Sequence, residues 1–107
     1  MTLLDRIREL VAKGTVDVSR HGYRELAADD ISLEDLIDGL AQAKVVEEYL
    51  DYFKGPAILL LQRDREGGPV HVLWGIPKGK EQPAVLVTAY RPKPEKWDGD
   101  FMGRRKP

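Results

Sequence analysis

The sequence of 107 residues contains no cysteine and only two histidines, so it lacks the side chains on which many metal sites depend. Without cysteine the chain can form neither a disulfide nor a thiolate metal site. The histidines, His21 and His71, stand fifty residues apart, which is not a metal-ligand spacing. The sequence therefore predicts no bound metal and no cofactor.

Long hydrophobic runs are also missing. No apolar stretch approaches the ~20 residues needed to cross a bilayer. The first ten residues, MTLLDRIREL, carry charges within their apolar pattern and so do not resemble a secretory signal. From these absences we expect a cytoplasmic protein with no membrane partner.

The chain contains none of the common catalytic motifs. There is no Walker loop, no HExxH and no GxSxG. Metal-free acid–base chemistry and plain binding are the functions that this composition leaves open.

Acidic and basic residues are unevenly divided, although the net charge is only −1. Residues 1–50 carry six Lys and Arg against eleven Asp and Glu, a net charge of −5. Residues 51–107 carry eleven against seven, a net charge of +4. A basic half can face an anionic partner such as nucleic acid. The alternative is that solvated charges are distributed along the chain by chance.

Three segments have the hydrophobic spacing of amphipathic helices. The first occupies residues 2–13, the second residues 20–28, and the third begins at about residue 33. The alternating segment Thr15–Val18 predicts a short strand before the second helix. Three side chains are suited to cap the helices: Thr2, Ser19 and Ser32.

From Lys44 onward the hydrophobic period changes to that of strands. Four strands are predicted, at residues 45–52, 57–61, 70–76 and 84–91. The connections are too short for parallel neighbours, so the strands form an antiparallel meander. Helices packed on a four-stranded antiparallel sheet, with a short strand before the second helix, define an α+β fold.

Alternation along the last two predicted strands indicates which side chains share a face. In the first of them, His71 lies on the face opposite Val72 and Trp74. In the second, one face is predicted to carry Leu86, Thr88 and Tyr90, and the other to carry Val85, Val87, Ala89 and Arg91.

Polar side chains suited to chemistry concentrate in these strands and at the start of the second helix. His21 and His71 are candidate acids or bases, because only histidine normally titrates near neutral pH. Thr88 and Tyr90 are candidates for holding a phosphate or transferring a proton. The structural alternatives are a helix-start histidine, a satisfied core histidine, and hydroxyls that only stabilise the sheet.

Basic side chains near the last strand form a second group of candidates. Arg91 can bind a phosphate through two hydrogen bonds, and Lys78 lies in the preceding loop. A basic rim that attracts RNA in a salt-dependent way would also include Lys80, Lys93 and Lys96. The alternative is ordinary solvated charge.

Five segments follow one another in an order that is typical of one protein family: VDVSRHGYREL, DDISLEDLIDGL, VVEEYLD, PVHVLWGIP and AVLVTAYRPKPEKWDGDF. The most diagnostic pieces are the Ser-x-His at Ser19, the His-Val at His71 and the Thr-x-Tyr-x-Pro that begins at Thr88. Over residues 15–101 the chain resembles the bacterial domain-of-unknown-function family 4258, which is similar to a distant member of the RelE/ParE toxin superfamily.

This resemblance implies a single domain of RelE/ParE-like fold. It divides residues 1–107 into an N-terminal helix at 1–14, a RelE/ParE-like core at 15–92 and a C-terminal tail at 93–107. It also implies a toxin-like protein of a type II toxin–antitoxin system, acting as a metal-free RNA endonuclease. The implied partners are a cognate antitoxin protein and RNA.

The resemblance implies a catalytic set of His21, His71 and Tyr90. The resemblance also places Thr88 at a recurrent family position, and the positive charges of Arg24, Lys78 and Arg91 complete the predicted substrate-binding set. Glu25 departs from the family pattern, because many relatives have an arginine there, and Arg24 points about 100° away on a helix. The alternative is therefore a non-catalytic target- or partner-binding protein of the same fold.

Overall fold

The computed structural model describes residues 1–105, which form three α-helices, one 3₁₀ helix and five strands. The last two residues of the predicted tail lie outside this range. The helices are α1 (Leu3–Ala12), α2 (Arg20–Ala28), α3 (Leu33–Asp38) and the 3₁₀ helix (Gly39–Gln42). The strands are β1 (Val16–Val18), β2 (Lys44–Tyr49), β3 (Ala57–Arg63), β4 (Pro69–Gly75) and β5 (Ala84–Tyr90). Within residues 1–105 none of the helices combines the length and the apolar composition that a membrane crossing requires.

Each α-helix begins at a side-chain cap. The Thr2 hydroxyl accepts from the Asp5 backbone N–H, and the Asp5 carboxylate accepts from the Thr2 backbone N–H. The Ser19 and Ser32 hydroxyls each accept the backbone N–H three residues on. A cap of this kind is worth about 1 kcal/mol. The three predicted caps are confirmed.

The sheet has the strand order β1-β5-β4-β3-β2. Strands β2 to β5 pair antiparallel in chain order, and β1 pairs parallel with β5. The α+β class is confirmed, but the sheet has five strands, so the prediction of a four-stranded sheet is wrong. A parallel pair needs a long crossover, and the whole chain between β1 and β5 supplies it.

One face of the sheet packs against the helices and holds the core. Alternate residues of β3 and β4, including Leu60, Val72 and Trp74, pack with Ile7 and Leu36. All five of these side chains are fully buried. This face is called the helix side, and the opposite face the open side.

Strand β5 contains a bulge at Val87. Thr88 pairs with Leu73 but Leu86 pairs with Trp74, so β5 has one residue more than β4 at this point. An extra residue shifts the in–out alternation by one. Leu86 therefore lies in the helix-side core with Ala89, and the prediction that it shares a face with Thr88 and Tyr90 is wrong. Val85 and Val87 lie on the open side, so their predicted grouping with Ala89 is wrong as well.

Candidate active site on the open side of the sheet

The open side of the sheet carries a shallow groove with two halves. One half, called the polar half because it contains the side chains of Tyr49, Thr88, Tyr90 and Arg104, is also lined by Leu59. The apolar half has a floor of Ala57, Gly75, Val85 and Val87. The two halves are continuous, because Tyr52, Ala57 and Leu73 line both of them.

His71 lies beneath the polar half and is fully buried. It is the cross-strand partner of Tyr90. The His71 Nε2 atom is 2.8 Å from the Phe101 carbonyl oxygen, and the Nδ1 atom is 3.1 Å from the Tyr90 hydroxyl. Because a carbonyl only accepts, a neutral imidazole carries its proton on Nε2 and accepts the Tyr90 proton at Nδ1. The imidazole is thus oriented as a base toward a hydroxyl that lines the groove.

The protonation states of this pair follow from their burial. Burial lowers the pKa of His71, and the positive charge of Arg104 also lowers it, against opposing effects of the Phe101 carbonyl and Glu47. Burial likewise raises the pKa of Tyr90 above its ordinary value. At neutral pH the imidazole is therefore uncharged and the phenol keeps its proton, as the hydrogen bond between them requires.

The C-terminal tail holds His71 in place. The Trp97 ring meets the His71 ring edge-on, with centroids 4.3 Å apart and an interplanar angle of 87°. Phe101 has a φ of 60°, which is uncommon for a bulky residue, and its carbonyl contacts His71. The tail therefore determines which imidazole nitrogen carries the proton.

Arg104 brings a positive charge to the polar half of the groove. Its Nε donates to the Glu47 carboxylate at 3.1 Å, and its guanidinium lies 4.8 Å from the centre of the Trp97 ring. The Tyr49 hydroxyl donates to the other Glu47 oxygen. The hydrogen bonds from Tyr49 and then Arg104 lower the pKa of Glu47. The carboxylate therefore stays ionised and holds the guanidinium at the groove.

His21 and Arg24 lie elsewhere. Both are exposed on α2, which packs against the helix side of β5 through Gly22 and Leu86. The His21 Nε2 atom is 3.8 Å from the Glu25 carboxylate. The structure thus brings His71, Thr88 and Tyr90 together at the groove, whereas His21 and Arg24 line neither of its halves.

Arg91 ties three parts of the fold together. Its guanidinium donates to the Asp64 carboxylate at 2.9 Å and to the backbone carbonyls of Asp29 and Asp30. These bonds join the end of β5 to the end of α2 and to the β3–β4 turn. The donors that would bind a phosphate are therefore engaged within the protein.

Lys78 is exposed in the loop between β4 and β5. Its backbone N–H donates to the Lys54 carbonyl at 3.0 Å, which joins this loop to the turn between β2 and β3. Its predicted place on a basic rim is compatible with this position, beside the apolar half of the groove.

Sequence reasoning missed the tail's part in the site. The Phe101 carbonyl is a main-chain group, so no residue-type pattern could identify it. In the sequence, Arg104 is part of the basic run Arg104-Arg105-Lys106 and Glu47 is one of two adjacent glutamates in a predicted strand, so residue type alone does not indicate that they pair. The tyrosines around the β2–β3 turn, Tyr49 and Tyr52, were the available signal.

Comparison with known protein families gives a match over residues 18–91, to the family described as a domain of unknown function, DUF4258. The match includes His71, Thr88 and Tyr90 and ends before the tail that supplies Phe101 and Arg104. No curated protein and no solved structure matches the chain. Because the match covers most of the sequence, the chain belongs to the DUF4258 family.

Proposed function

We propose that this protein is a toxin-like RNA endonuclease of a type II toxin–antitoxin system, distantly related to the RelE/ParE superfamily. The observation that carries the proposal is the Tyr90–His71–Phe101 chain of hydrogen bonds, whose outer member, Tyr90, is a residue that lines the groove. The helices on one face and the polar groups on the other support the proposed kinship. RNA is the proposed substrate and a cognate antitoxin the proposed partner.

Metal-free RNA cleavage needs a base for the 2′-hydroxyl, a proton for the leaving oxygen and positive charge for the phosphate. Tyr90 takes the 2′-hydroxyl proton while its own proton passes to His71 Nδ1. The 2′-oxygen then attacks phosphorus and the bond to the 5′-oxygen breaks. That oxygen takes a proton from a water molecule in the open groove, which leaves a 2′,3′-cyclic phosphate, a 5′-hydroxyl and a hydroxide ion. The imidazolium then returns its proton through Tyr90 to that hydroxide, which restores the starting state of the pair.

Arg104 and Thr88 have supporting roles in this proposal. The guanidinium stabilises the charge that develops on the phosphate, and the Thr88 hydroxyl donates to a phosphate oxygen. Both side chains line the same half of the groove as Tyr90. Their positions also support RNA cleavage as the reaction.

The Tyr90→Phe variant tests the proposal directly. It removes the hydroxyl and keeps the ring, so the loss of proton transfer should lower the cleavage rate about 10²–10⁴-fold. The measurement is cleavage of a labelled RNA by the purified protein, with a thermal unfolding curve to establish that the variant is folded. Tyr23→Phe is the matched control, because that tyrosine is exposed on α2. Equal rates for the wild type and Tyr90→Phe would refute the proposed role.

A second candidate function is non-catalytic binding of a target or partner protein. It is favoured by the ion pairs of Arg104 with Glu47 and of Arg91 with Asp64, which occupy two of the cations available for a phosphate. Co-expression with the neighbouring gene product distinguishes the two functions. A tight complex whose dissociation releases no ribonuclease activity would favour binding, and activity released on dissociation would favour the enzyme.

A further inference from the structure

The apolar half of the groove directly adjoins the Tyr90–His71 pair. We propose that it is a base-binding subsite, which holds one unpaired nucleobase of a single-stranded RNA stacked on the Tyr52 ring. The phosphate next to that nucleotide would then lie in the polar half, beside Tyr90. This inference rests on RNA as the ligand of the proposed function and adds where and in what form the RNA binds.

The floor of the subsite is flat because two small residues face each other across strands. Ala57 of β3 is the cross-strand partner of Gly75 of β4. A Cβ at Gly75 would stand 3.2 Å from the Pro56 carbonyl oxygen and in ordinary contact with the Ala57 Cβ at 3.6 Å and a Val87 methyl at 3.7 Å, so a larger side chain here would project into the depression. The cavity volume of about 250 Å³ is just below the ~300–1,000 Å³ of drug-sized sites, which suits a single flat ring system.

The wall of the subsite is aromatic and exposed. Tyr52, which lines the groove, is 45% exposed, and the adjacent Phe53, which does not line it, is 70% exposed, with ring centroids 4.8 Å apart. Core packing does not explain two exposed rings at one turn. Aromatic faces of this kind are the surfaces on which proteins stack unpaired bases.

The turn that carries these rings is firmly held. Gly55 has a φ of 125°, and a Cβ there would stand 2.1 Å from the Ile76 carbonyl oxygen, so only glycine permits the close approach. The Lys54 carbonyl accepts from the Lys78 backbone N–H at 3.0 Å. The aromatic wall is therefore anchored to the β4–β5 loop and preorganised for a ligand.

Charge at the groove favours an anionic ligand. The charged side chains that line its two halves are Arg104, whose Nε is paired with the Glu47 carboxylate, at one end and Lys54 at the other. Lys54 forms no ion pair within residues 1–105, and its Nζ lies 5.7 Å from the centre of the Phe53 ring. Asp51 and Glu81 stand in the same two loops but do not line the groove. Phosphates on both sides of a bound base would therefore meet a cation.

Fluorescence anisotropy with a 5′-labelled, 2′-O-methylated single-stranded RNA measures binding without cleavage. The Tyr52→Ala variant should raise the Kd roughly 5- to 150-fold, since a base stacked on an aromatic ring contributes about 1–3 kcal/mol. Tyr52→Phe keeps the ring and should bind like the wild type. Tyr23→Ala is the matched control, because this tyrosine is 60% exposed on α2 and lines neither half of the groove. A duplex of the same sequence should bind more weakly and should not respond to Tyr52→Ala.

The outcomes separate this inference from the proposed nuclease. Equal Kd values for wild type and Tyr52→Ala would overturn the subsite, even if unmodified RNA is cleaved. Tyr52-dependent binding without cleavage by the wild type would support the subsite and refute the nuclease. If the wild type binds no RNA, the subsite is overturned. If the wild type then co-purifies with a co-expressed protein and the Tyr52→Ala variant does not, the surface is a protein-docking face.

Discussion

The two faces of the sheet both bury polar groups, but they satisfy them in different ways. On the helix side, the Trp74 indole donates to Gln62, whose amide donates to the Leu36 carbonyl, and all of these atoms are enclosed. On the open side, the chain of hydrogen bonds from Phe101 through His71 ends at the Tyr90 hydroxyl in the groove. The first network is closed, and the second has one end available to a ligand.

This difference separates a structural network from a candidate chemical one. Within residues 1–105, no buried side-chain nitrogen or oxygen lacks a hydrogen-bond partner on either face. The presence of hydrogen-bond partners alone therefore does not distinguish the structural network from the candidate chemical one. What distinguishes the open side is a titratable group, His71, connected to a surface that solvent and substrate can reach.

The largest expected effect concerns packing. Leu60→Ala on the helix side should lower the free energy of unfolding by about 2–5 kcal/mol, because Leu60 is fully buried and its loss leaves a cavity. Leu73→Ala on the open side should cost only about 1 kcal/mol, because Leu73 is half-buried in the groove. Urea denaturation measures the free energy of unfolding of both variants. Equal decreases would contradict the distinction between an enclosed and an open face.

The closed polar network should be the next most sensitive feature. Gln62→Leu strands the Trp74 indole N–H and the Leu36 carbonyl, at about 1–3 kcal/mol for an unsatisfied group. Tyr90→Phe also removes a partner, but groove water can take the place of the lost hydroxyl, so about 1 kcal/mol is expected. If urea denaturation shows a larger decrease in the free energy of unfolding for Tyr90→Phe than for Gln62→Leu, the open network contributes more to stability than the closed one.

The helix side of this fold follows from sequence periodicity far better than the open side. The spacing of Leu33, Leu36 and Leu40 predicts a helix with a buried stripe, and all three do face the core. The same reasoning fails at Val87, because a bulge adds one residue without any marker in residue type. From that point every side chain of β5 changes face relative to the prediction.

The site was only partly predictable for the same reason. His71, Thr88 and Tyr90 could be named as candidates because their residue types carry chemistry. Their meeting with Arg104 depends on how the tail crosses the sheet, which rests on the contacts of Trp97 with His71 and Arg104. Such long-range contacts of single side chains leave no periodic pattern in the sequence.

The pH dependence of stability provides a third test, centred on His71. Its folded pKa is lowered, so the unfolded chain binds the proton more readily. Stability should be fully present above the unfolded pKa of about 6.5 and should fall as the pH drops below it, by up to ~1.4 kcal/mol per pH unit. The charged and titratable groups around the imidazole are Arg104, Glu47 and Tyr90.

Urea denaturation at several pH values between about 5.5 and 8 measures this dependence. The His71→Gln variant should show a flatter dependence over this range, whatever its stability at pH 8. His21→Gln, which removes the other histidine at an exposed position on α2, is the matched control. If both variants keep the wild-type slope, the buried imidazole is not the group that titrates.

The smallest expected effect on stability separates the two arginines. Arg104→Gln should change the free energy of unfolding by less than about 1 kcal/mol, because its ion pair with Glu47 is largely exposed. It should nevertheless weaken single-stranded RNA binding and reduce the slope of log Kd against log salt concentration by about 0.7, as expected for one lost phosphate contact. Arg91→Gln should do the opposite, lowering the Tm through the loss of its bonds to Asp64 and α2 while the salt slope stays unchanged. A reduced salt slope for Arg91→Gln with none for Arg104→Gln would move the phosphate site from the groove to the end of β5.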